Sequence, residues 1–418
     1  MSSHSWHQHY PENVPKEIDP DKYPSIVSLL EEIFEKYADL PAFKNMDKTL
    51  SYRQIDSMST SFAAWLQNSG LEKGDRIAIQ MPNLLQYPVV LFGALKAGLI
   101  VVNTNPLYTA REMEHQFKDS GAKAIVILAN FAYNLEKVLP NTDIKTVIVT
   151  EIGDLLGGFK GMLVNFVVKN IKKMVPKYYL KDAYKLKDVL RKGGRLSLTK
   201  PEIKSSDIAF LQYTGGTTGV SKGAALSHRN LCANIIQSKD WFGIQSDEVV
   251  ITALPMYHIF ALTVNCFLMS SLGAFNILIT NPRDMKSFCK DLKKNPFSII
   301  SGVNTLFNGL LQQPGFKDLD FSKLKLVVAG GMALQKSVAQ HWKEVTGVEI
   351  IEGYGLSETS PILTTNPRTN NRVGTIGVPI PSTEIKIMND DGEEVPNGEP
   401  GEICARGPQV FQGYWQRP

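Results

Sequence analysis

The chain has 418 residues, of which 43% are hydrophobic and 21% charged, and its formal net charge is +4. This length allows two or more domains, and the composition is typical of a globular protein and excludes collagen-like and low-complexity chains. Four cysteines without a Cys-x-x-Cys pair are too few for a disulfide framework. The small net charge gives no indication of nucleic-acid binding. We therefore expect a globular protein of the reducing cytoplasm that does not bind nucleic acid.

Residues 1–24 are polar, contain His4, His7 and His9, and lack the apolar core of a signal peptide. We expect a partly disordered N-terminal tail here rather than a metal site. From residue 25 onward, stretches with helical periodicity alternate with short apolar runs in two series. The runs of the first series are 77–81, 99–102, 124–128 and 146–149, and those of the second are 208–212, 297–300, 324–329 and 348–351.

Strands that alternate with helices indicate parallel sheets covered by helices. We therefore predict an α/β protein with two parallel-type sheets and packed helices. The first α/β subdomain is expected over residues 25–200 and the second over residues 201–366. Residues 367–418 are punctuated by the turn signals DDG and NG, and we predict a small barrel-like β subdomain for them.

Residues 155–181 contain six lysines and no acidic residue. In a helix, Leu163, Phe166, Val167, Ile171 and Met174 would share one face, with Lys169, Lys172 and Lys173 largely on the other. Two interpretations are open: this amphipathic segment contacts an anionic membrane surface, or it packs its apolar stripe on the domain.

The stretch between Glu248 and Arg283 has no charged residue. Pro255 and Gly273 interrupt it, which leaves fewer than the ~20 apolar residues that a membrane-spanning helix needs. We predict a buried helix followed by a buried strand at 275–279.

The strongest motif, YTGGTTGVSKG at residues 213–223, follows a predicted buried strand. Glycines let a backbone wrap around an anion, and threonine hydroxyls and a lysine add donors, so the loop predicts a polyphosphate site. It does not fit the Walker A pattern. Its residues are Tyr213, Thr214, Gly215, Gly216, Thr217, Thr218, Gly219 and Lys222.

The same loop also matches the G-x-S-x-G nucleophile elbow, with Ser221 as the serine. An elbow requires a strand that ends at the first glycine and a helix that follows, whereas here a Gly/Thr loop intervenes. A serine hydrolase of acyl substrates remains an alternative, and so does a non-catalytic adenylate- or lipid-binding module.

Four ordered motifs carry a family resemblance: the 213–223 loop, LPMYH at 254–258, EGYGLSET at 352–359 and GEICARG at 401–407. Together they resemble the adenylate-forming superfamily of acyl-CoA synthetases, luciferases and peptide-synthetase adenylation domains. The runs at 87–98 and 103–108 are similar to those of bacterial long-chain fatty acyl-CoA ligases. The likeness spans nearly the whole chain from about Tyr23.

The resemblance implies a two-step reaction. A fatty acid carboxylate attacks the α-phosphate of ATP, which gives an acyl-adenylate and pyrophosphate, and the CoA thiol then displaces AMP. The implied cofactors are ATP and Mg²⁺, with CoA as co-substrate. Glu358 would bind Mg²⁺, which prefers carboxylate and phosphate oxygens, and Thr214 would be a weaker second contact. For Glu358, hydrogen bonding to the N–H groups of a helix N-terminus is the alternative role.

The resemblance also assigns the other site residues. Lys222 would hold phosphates, Thr359 would donate to the α-phosphate, and Tyr354 would stack on adenine. With His258 and Glu358, Lys222 and Thr359 form the expected catalytic set. The remaining expected nucleotide-binding residues are Gly330, Gly331, Glu352, Gly353 and Gly355.

The expected acyl pocket is formed by Tyr257, His258, Leu262 and Met332. Tyr257 and His258 would line its carboxylate end, and Leu262 stands where some long-chain relatives carry a tryptophan gate. The apolar residues 260–269 suit a lipid tail, and no acidic residue there would receive an amino acid's ammonium group.

Relatives continue beyond residue 418 into a small domain that bears a catalytic lysine. We therefore expect this chain to be the large domain, with impaired catalysis by itself. The expected partners are a fatty acid, ATP, CoA and an anionic membrane surface contacted through residues 160–181, and a homodimer is left open. The expected location is the cytoplasm, with peripheral contact at the inner face of the membrane.

Overall fold

The computed structural model describes residues 4–215, 220–244 and 246–417. The α-helices of this part of the chain are α1 Ile26–Lys36, α2 Tyr52–Asn68, α3 Gln86–Lys96, α4 Ala110–Ser120, α5 Ala132–Val138, α6 Gly158–Phe166, α7 Leu186–Gly193, α8 His228–Phe242, α9 Met269–Ser271, α10 Met285–Lys294, α11 Asn304–Leu311 and α12 Lys336–Thr346. Two π-helical segments cover Val167–Ile171 and Ala261–Leu268, and 3₁₀ turns cover Ser5–His9, Ala129–Phe131, Leu139–Asn141, Phe316–Asp318 and Ser357–Thr359.

The strands are β1 Pro41–Asn45, β2 Lys48–Ser51, β3 Arg76–Gln80, β4 Ile100–Asn103, β5 Ala124–Leu128, β6 Thr146–Thr150, β7 Tyr184–Lys185, β8 Ile208–Thr214, β9 Lys222–Ser227, β10 Val249–Thr252, β11 Phe275–Leu278, β12 Ile299–Gly302, β13 Leu326–Ala329, β14 Ile350–Gly355, β15 Ile362–Thr365, β16 Val378–Pro379, β17 Glu384–Met388 and β18 Glu402–Arg406. Every apolar run predicted as a strand overlaps one in the structure. The runs form strands because they are short, largely apolar segments that each contain Val or Ile.

Two large sheets carry the fold. One has seven strands in the order β7-β6-β5-β3-β4-β8-β9, and the other has nine in the order β16-β15-β14-β13-β12-β10-β11-β1-β2. Most neighbours are parallel; the antiparallel pairs are β8–β9, β1–β2, β14–β15 and β15–β16. The predicted α/β class with two parallel-type sheets is confirmed.

The sheets do not divide the chain at residue 200. Strands β1 and β2 come from the N-terminal part but belong to the nine-stranded sheet, in which β1 pairs with β11 and β2 pairs with β1. Strands β8 and β9 come after residue 200 but extend the seven-stranded sheet through the β4–β8 pair. Of β1, β2, β8 and β9, only β8 was predicted as an apolar run, and the pattern contains no information on strand partners, because pairing depends on the tertiary fold.

Helix α3 lies inside the molecule, and all eleven of its residues are buried. A helix that is apolar on every side is buried in this way. Its Phe92 ring lies 5.8 Å from the Phe267 ring of the second π-helical segment. That segment and β11 form the buried helix and strand predicted for the uncharged stretch. Among the described residues, no helix is both long enough and apolar enough to cross a bilayer.

The N-terminal segment packs on the C-terminal part, and the described residues of the predicted tail are ordered by these contacts. The Tyr10 hydroxyl donates to the Pro379 carbonyl at 2.7 Å, and the Ser382 N–H donates to the Lys16 carbonyl at 3.0 Å. In the C-terminal part, β17 and β18 form an open two-stranded antiparallel ribbon. The barrel-like form predicted for this region is present only as that ribbon, since two strands cannot close a barrel.

The basic segment is helical from Gly158 to Ile171, but its apolar stripe does not pack on the domain. Phe166 is 56% exposed and Ile171 is 65% exposed, and Leu163 and Met174 are also exposed. Asn165 holds this helix on the domain: its side chain accepts the Gly153 N–H at 2.7 Å and donates to the Glu151 carboxylate at 3.0 Å. Lys160 of the same helix also contacts the Met46 carbonyl. The interpretation in which the stripe packs inward is therefore wrong.

Candidate functional site

A cavity of about 890 Å³ lies where the carboxyl ends of strands from both sheets meet. Strand β8 reaches it from the seven-stranded sheet, and β13 and β14 reach it from the nine-stranded sheet. Ligands of α/β proteins bind outside the carboxyl ends of the strands. The predicted site residues that line this cavity are Tyr213, Thr214, Gly215, Tyr257, His258, Gly330, Gly331, Gly353, Tyr354, Gly355 and Glu358.

The phosphate loop is the connection of the β8–β9 hairpin. Thr214 and Lys222 are cross-strand partners at the base of this hairpin. Gly216, Thr217, Thr218 and Gly219, which complete the predicted phosphate site, lie outside the described residues. The loop therefore begins at the cavity wall, with a lysine at its far end.

Ser221 does not have the setting of a hydrolase nucleophile. Its hydroxyl donates to the Thr214 carbonyl at 2.9 Å, and the next residue begins strand β9 rather than a helix. His115 contacts the backbone oxygen of Ser221, not its hydroxyl. A nucleophile elbow needs a helix directly after the serine and a base on its hydroxyl. The hydrolase alternative is therefore not supported.

The segment 254–258 follows β10 and is held by three buried side chains that are distant from it along the chain. Asn83 donates to the Thr252 and Leu254 carbonyls and accepts from the Met256 N–H, at 2.9–3.0 Å. Tyr87 donates to the Met256 carbonyl at 2.8 Å. Gln212 of β8 donates to the Tyr257 carbonyl at 2.9 Å. These bonds fix the backbone that carries His258.

His258 projects into the cavity, where its side chain is exposed. The cavity walls displace part of the water around the ring, and this desolvation lowers the pKa of His258. A neutral imidazole keeps one N–H donor and one acceptor nitrogen. It can therefore orient a carboxylate by a hydrogen bond without a full positive charge.

Tyr354 lies in β14 between two glycines that allow close backbone approach. A Cβ atom on Gly355 would lie 1.8 Å from the Pro361 carbonyl oxygen, and one on Gly353 would lie 3.1 Å from the Thr364 oxygen. Only glycine therefore fits at Gly355 without a backbone shift. The Tyr354 ring is left on the cavity wall, where an aromatic face can stack on a base.

Glu358 sits in the 3₁₀ turn after β14, and one of its carboxylate oxygens accepts the Tyr414 hydroxyl at 2.8 Å. Among the described residues, no group of three or more His, Cys, Asp or Glu side chains could hold a metal ion. Mg²⁺ does not need such a group when it binds nucleotide, because it keeps several waters and uses one or two carboxylates plus phosphates. The single carboxylate of Glu358, close to the predicted phosphate loop, is therefore sufficient as the protein ligand of a nucleotide-bound Mg²⁺.

Five described residues of the predicted site do not line the cavity. One is Lys222, which lies at the far end of the loop from Thr214. The Thr359 hydroxyl is buried and bonded to the Leu356 N–H and carbonyl, so its own turn uses it. Glu352 is buried, which raises its pKa, and it accepts the Leu334 N–H at 3.1 Å. Leu262 is wholly buried in the second π-helical segment, whereas Met332 is 51% exposed.

Several cavity residues were not singled out from the sequence. Asn103, Gln212 and Tyr414 contribute polar groups to the wall. Phe260, by contrast, begins the apolar range 260–269 that was expected to suit a lipid tail, and its ring lines the cavity. Gln212 ends a predicted strand immediately before the loop motif 213–223, which is a signal that could have found it. Tyr414 carries no such local signal.

Comparisons with known proteins agree with this geometry. Residues 30–415 match the protein family described as AMP-binding enzyme. The chain is 55% identical to a long-chain-fatty-acid–CoA ligase of Yersinia pestis, over 99% of this chain and 74% of that protein. It is 34% identical to a ligase of the same name from Bacillus subtilis, over 100% of this chain and 75% of that protein.

Solved structures show the same fold. A long-chain-fatty-acid-CoA ligase from Archaeoglobus fulgidus superposes with a TM-score of 0.81 at 24% identity, over 98% of this chain and 79% of that one. An anthranilate CoA ligase in complex with anthranoyl-AMP superposes with a TM-score of 0.85 at 22% identity, over 96% of this chain and 73% of that one. The family match covers more than nine-tenths of the residues. The chain therefore belongs to the family of AMP-binding enzymes.

Proposed function

We propose that this protein is a long-chain fatty acid–CoA ligase that forms an acyl-adenylate from ATP and a fatty acid and then a thioester with CoA. The observation that carries the proposal is that two groups of residues line one cavity. The first group is Thr214, Tyr354 and Glu358, and the second is Tyr257 and His258. The first group suits a nucleotide and the second a carboxylate. The identity to ligases of this name over nearly the whole chain supports the same activity.

In the first step, a carboxylate oxygen forms a bond to the α-phosphorus and the bond to the bridging oxygen of pyrophosphate breaks. Two anions must approach each other, so the site must offset their repulsion. In our proposal Lys222 and the Thr214 hydroxyl hold phosphate oxygens, Tyr354 stacks on adenine, and Glu358 ligates Mg²⁺. Bound Mg²⁺ supplies further neutralisation of phosphate charge. His258 orients the attacking carboxylate.

The substrate class follows from the rest of the wall. Ile259, Phe260, Val328 and Ile362 are apolar, and Glu358 is the one acidic residue among the described residues that line the cavity. An amino acid substrate would need a second carboxylate for its ammonium group. An aliphatic acid needs only an apolar path for its tail, so we assign the acyl pocket to a fatty acid. The wall in our proposal includes Phe260 rather than Leu262 or Met332.

The proposal is tested by calorimetric binding of non-hydrolysable acyl-sulfamoyl-adenosines with short and long acyl tails. We expect affinity to increase with tail length, because each buried CH₂ contributes about 0.8 kcal/mol. Tyr354→Ala should weaken the binding of every analogue by about the same factor, whereas His258→Ala should not weaken the binding of AMP. An affinity that does not depend on tail length would contradict the fatty acid assignment.

We further infer that the segment 158–174 contacts an anionic membrane surface. Its exposed apolar side chains Phe166, Ile171 and Met174 stand among lysines, and no acidic residue interrupts residues 155–181. Interfacial helices combine these two features. The cytoplasmic location and a homodimer remain predictions.

Co-sedimentation with vesicles tests the membrane contact. The chain should bind vesicles that contain phosphatidylserine, and changing Lys169, Lys172 and Lys173 to glutamate should reduce binding at least tenfold, since each lysine contributes about 1 kcal/mol. The same charge change at Lys317, Lys323 and Lys336, which are exposed elsewhere, is the matched control. Equal binding by both triple variants would rule out this surface.

A further inference from the structure

The segment 411–414 contacts the expected magnesium ligand, Glu358, through both its side chain and its backbone. The side-chain contact is made by Tyr414. Its hydroxyl donates to Oε1 of Glu358 at 2.8 Å. The same segment also binds the Glu358 backbone, since the Phe411 N–H donates to the Glu358 carbonyl at 2.8 Å. The other carboxylate oxygen, Oε2, has no hydrogen-bond partner among the described residues. One oxygen is therefore fixed and the other is free for a ligand.

Tyr414 is itself fixed to the strand that follows the phosphate loop. Residues 413–415 run antiparallel to β9: the Ala225 N–H donates to the Gly413 carbonyl at 3.0 Å and the Trp415 N–H donates to the Gly223 carbonyl at 2.8 Å. Arg417 pairs with Asp119 at 3.0 Å and anchors the end of this segment. The position of the phenol is therefore set by the hairpin that carries the loop.

Tyr414 also contacts the lysine of that loop. The Lys222 ammonium lies 5.2 Å from the centre of the Tyr414 ring, within the ~6 Å range of cation–π contacts. Among the described residues, Lys222 and Glu358 do not form an ion pair. Both charges lie beside the same tyrosine, and opposite charges at such short range attract each other. A direct pair would remove both from the nucleotide. Tyr414 offers each charge a different partner.

The geometry points to Tyr414 as a positioning residue, which orients Glu358 toward nucleotide-bound Mg²⁺ through its hydroxyl and holds Lys222 through its ring. This inference rests on the proposed function and deepens it. Hydrogen-bond partners of metal ligands control metal affinity, and their loss typically costs 10–100-fold. Two variants separate the two contacts: Tyr414→Phe removes only the hydroxyl, and Tyr414→Leu removes the ring as well.

The test is ATP binding by calorimetry at a series of Mg²⁺ concentrations, compared with binding of AMP without metal. For Tyr414→Phe we expect the Mg²⁺ concentration at half-maximal ATP binding to rise about tenfold, with AMP affinity unchanged. Tyr414→Leu should in addition weaken ATP binding at saturating Mg²⁺. Tyr133→Phe, an exposed tyrosine elsewhere, is the matched control.

The possible results separate a positioning role for Tyr414 from a purely structural one. If Tyr414→Phe binds ATP with the Mg²⁺ dependence of the unchanged chain, the inference is wrong. It is also wrong if ATP and AMP affinities fall together with the melting temperature, since that pattern indicates a structural role alone. If the unchanged chain binds neither ATP nor AMP, the proposed function itself fails, and the inference fails with it.

Discussion

His228 is a single residue whose burial couples protonation to stability. It is 3% exposed, and its Nδ1 accepts the Ile26 N–H at 3.3 Å, so the neutral ring is the form that fits. Burial lowers its pKa to about 4. An unfolded histidine titrates near 6.5, so the unfolded chain binds more protons than the folded one between these pH values. Stability is therefore lost as pH falls from about 6.5 toward 4.

For this residue we expect the free energy of unfolding to fall by about 2 kcal/mol between pH 7 and pH 5. Urea denaturation at both pH values measures the difference. In His228→Gln this fall in the free energy of unfolding between pH 7 and pH 5 should disappear. In the control His341→Gln, which changes an exposed histidine, the fall should remain. An undiminished pH dependence in His228→Gln would show that other groups cause it.

The segment 254–258 is an element whose shape depends on distant side chains. Asn83 makes two hydrogen bonds to this segment and a third to Thr252 at the end of β10, and it is 2% exposed. Asn83→Ala would leave buried backbone groups unpaired, at about 1–3 kcal/mol each. We expect a loss of about 3 kcal/mol in the free energy of unfolding, together with weaker binding of long-tail acyl-sulfamoyl-adenosine and unchanged binding of AMP.

Thermal or urea unfolding and calorimetry provide both readouts for Asn83→Ala. The control is Asn130→Ala, which removes an exposed hydrogen bond to the Met174 carbonyl and should change stability by no more than about 0.5 kcal/mol. Equal losses of acyl-analogue and AMP affinity would contradict a specific role for Asn83 in placing His258.

At the scale of the whole molecule, the two large sheets are interlocked by strand exchange. β1 pairs with β11 through Phe43–Asn276 and Lys44–Ile277, and β8 pairs with β4 through Val102–Leu211. Neither sheet is complete within residues 25–200 or within 201–366. The chain should therefore unfold as one cooperative unit.

We expect circular dichroism and tryptophan fluorescence to report a single coincident urea transition, and a fragment of residues 201–418 to lack a cooperative transition because it has lost β1 and β2. Two separated transitions in the whole chain, or cooperative unfolding of that fragment, would show that the subdomains are independent. Addition of AMP should move the single transition to higher urea.

Much of the fold and of the cavity wall was accessible from the sequence, because those features are local. An apolar run bounded by turns makes a strand wherever it lies, and the motifs that contain Thr214, Tyr354 and His258 are contiguous along the chain. Their arrival at one cavity follows from the rule that ligands bind at the carboxyl ends of parallel strands. The exposed lysines of residues 155–181 were likewise evident from their spacing.

The tertiary structure alone decided which residues meet across long separations. Tyr414 reaches Glu358 from 56 residues away, and Asn83 reaches Met256 from 173 residues away. It also decided that the Thr359 hydroxyl bonds its own turn, that Met332 stands outside the cavity, and that the stripe containing Phe166 and Ile171 is exposed. Periodicity and composition describe one element at a time, whereas these outcomes depend on which other element packs against it.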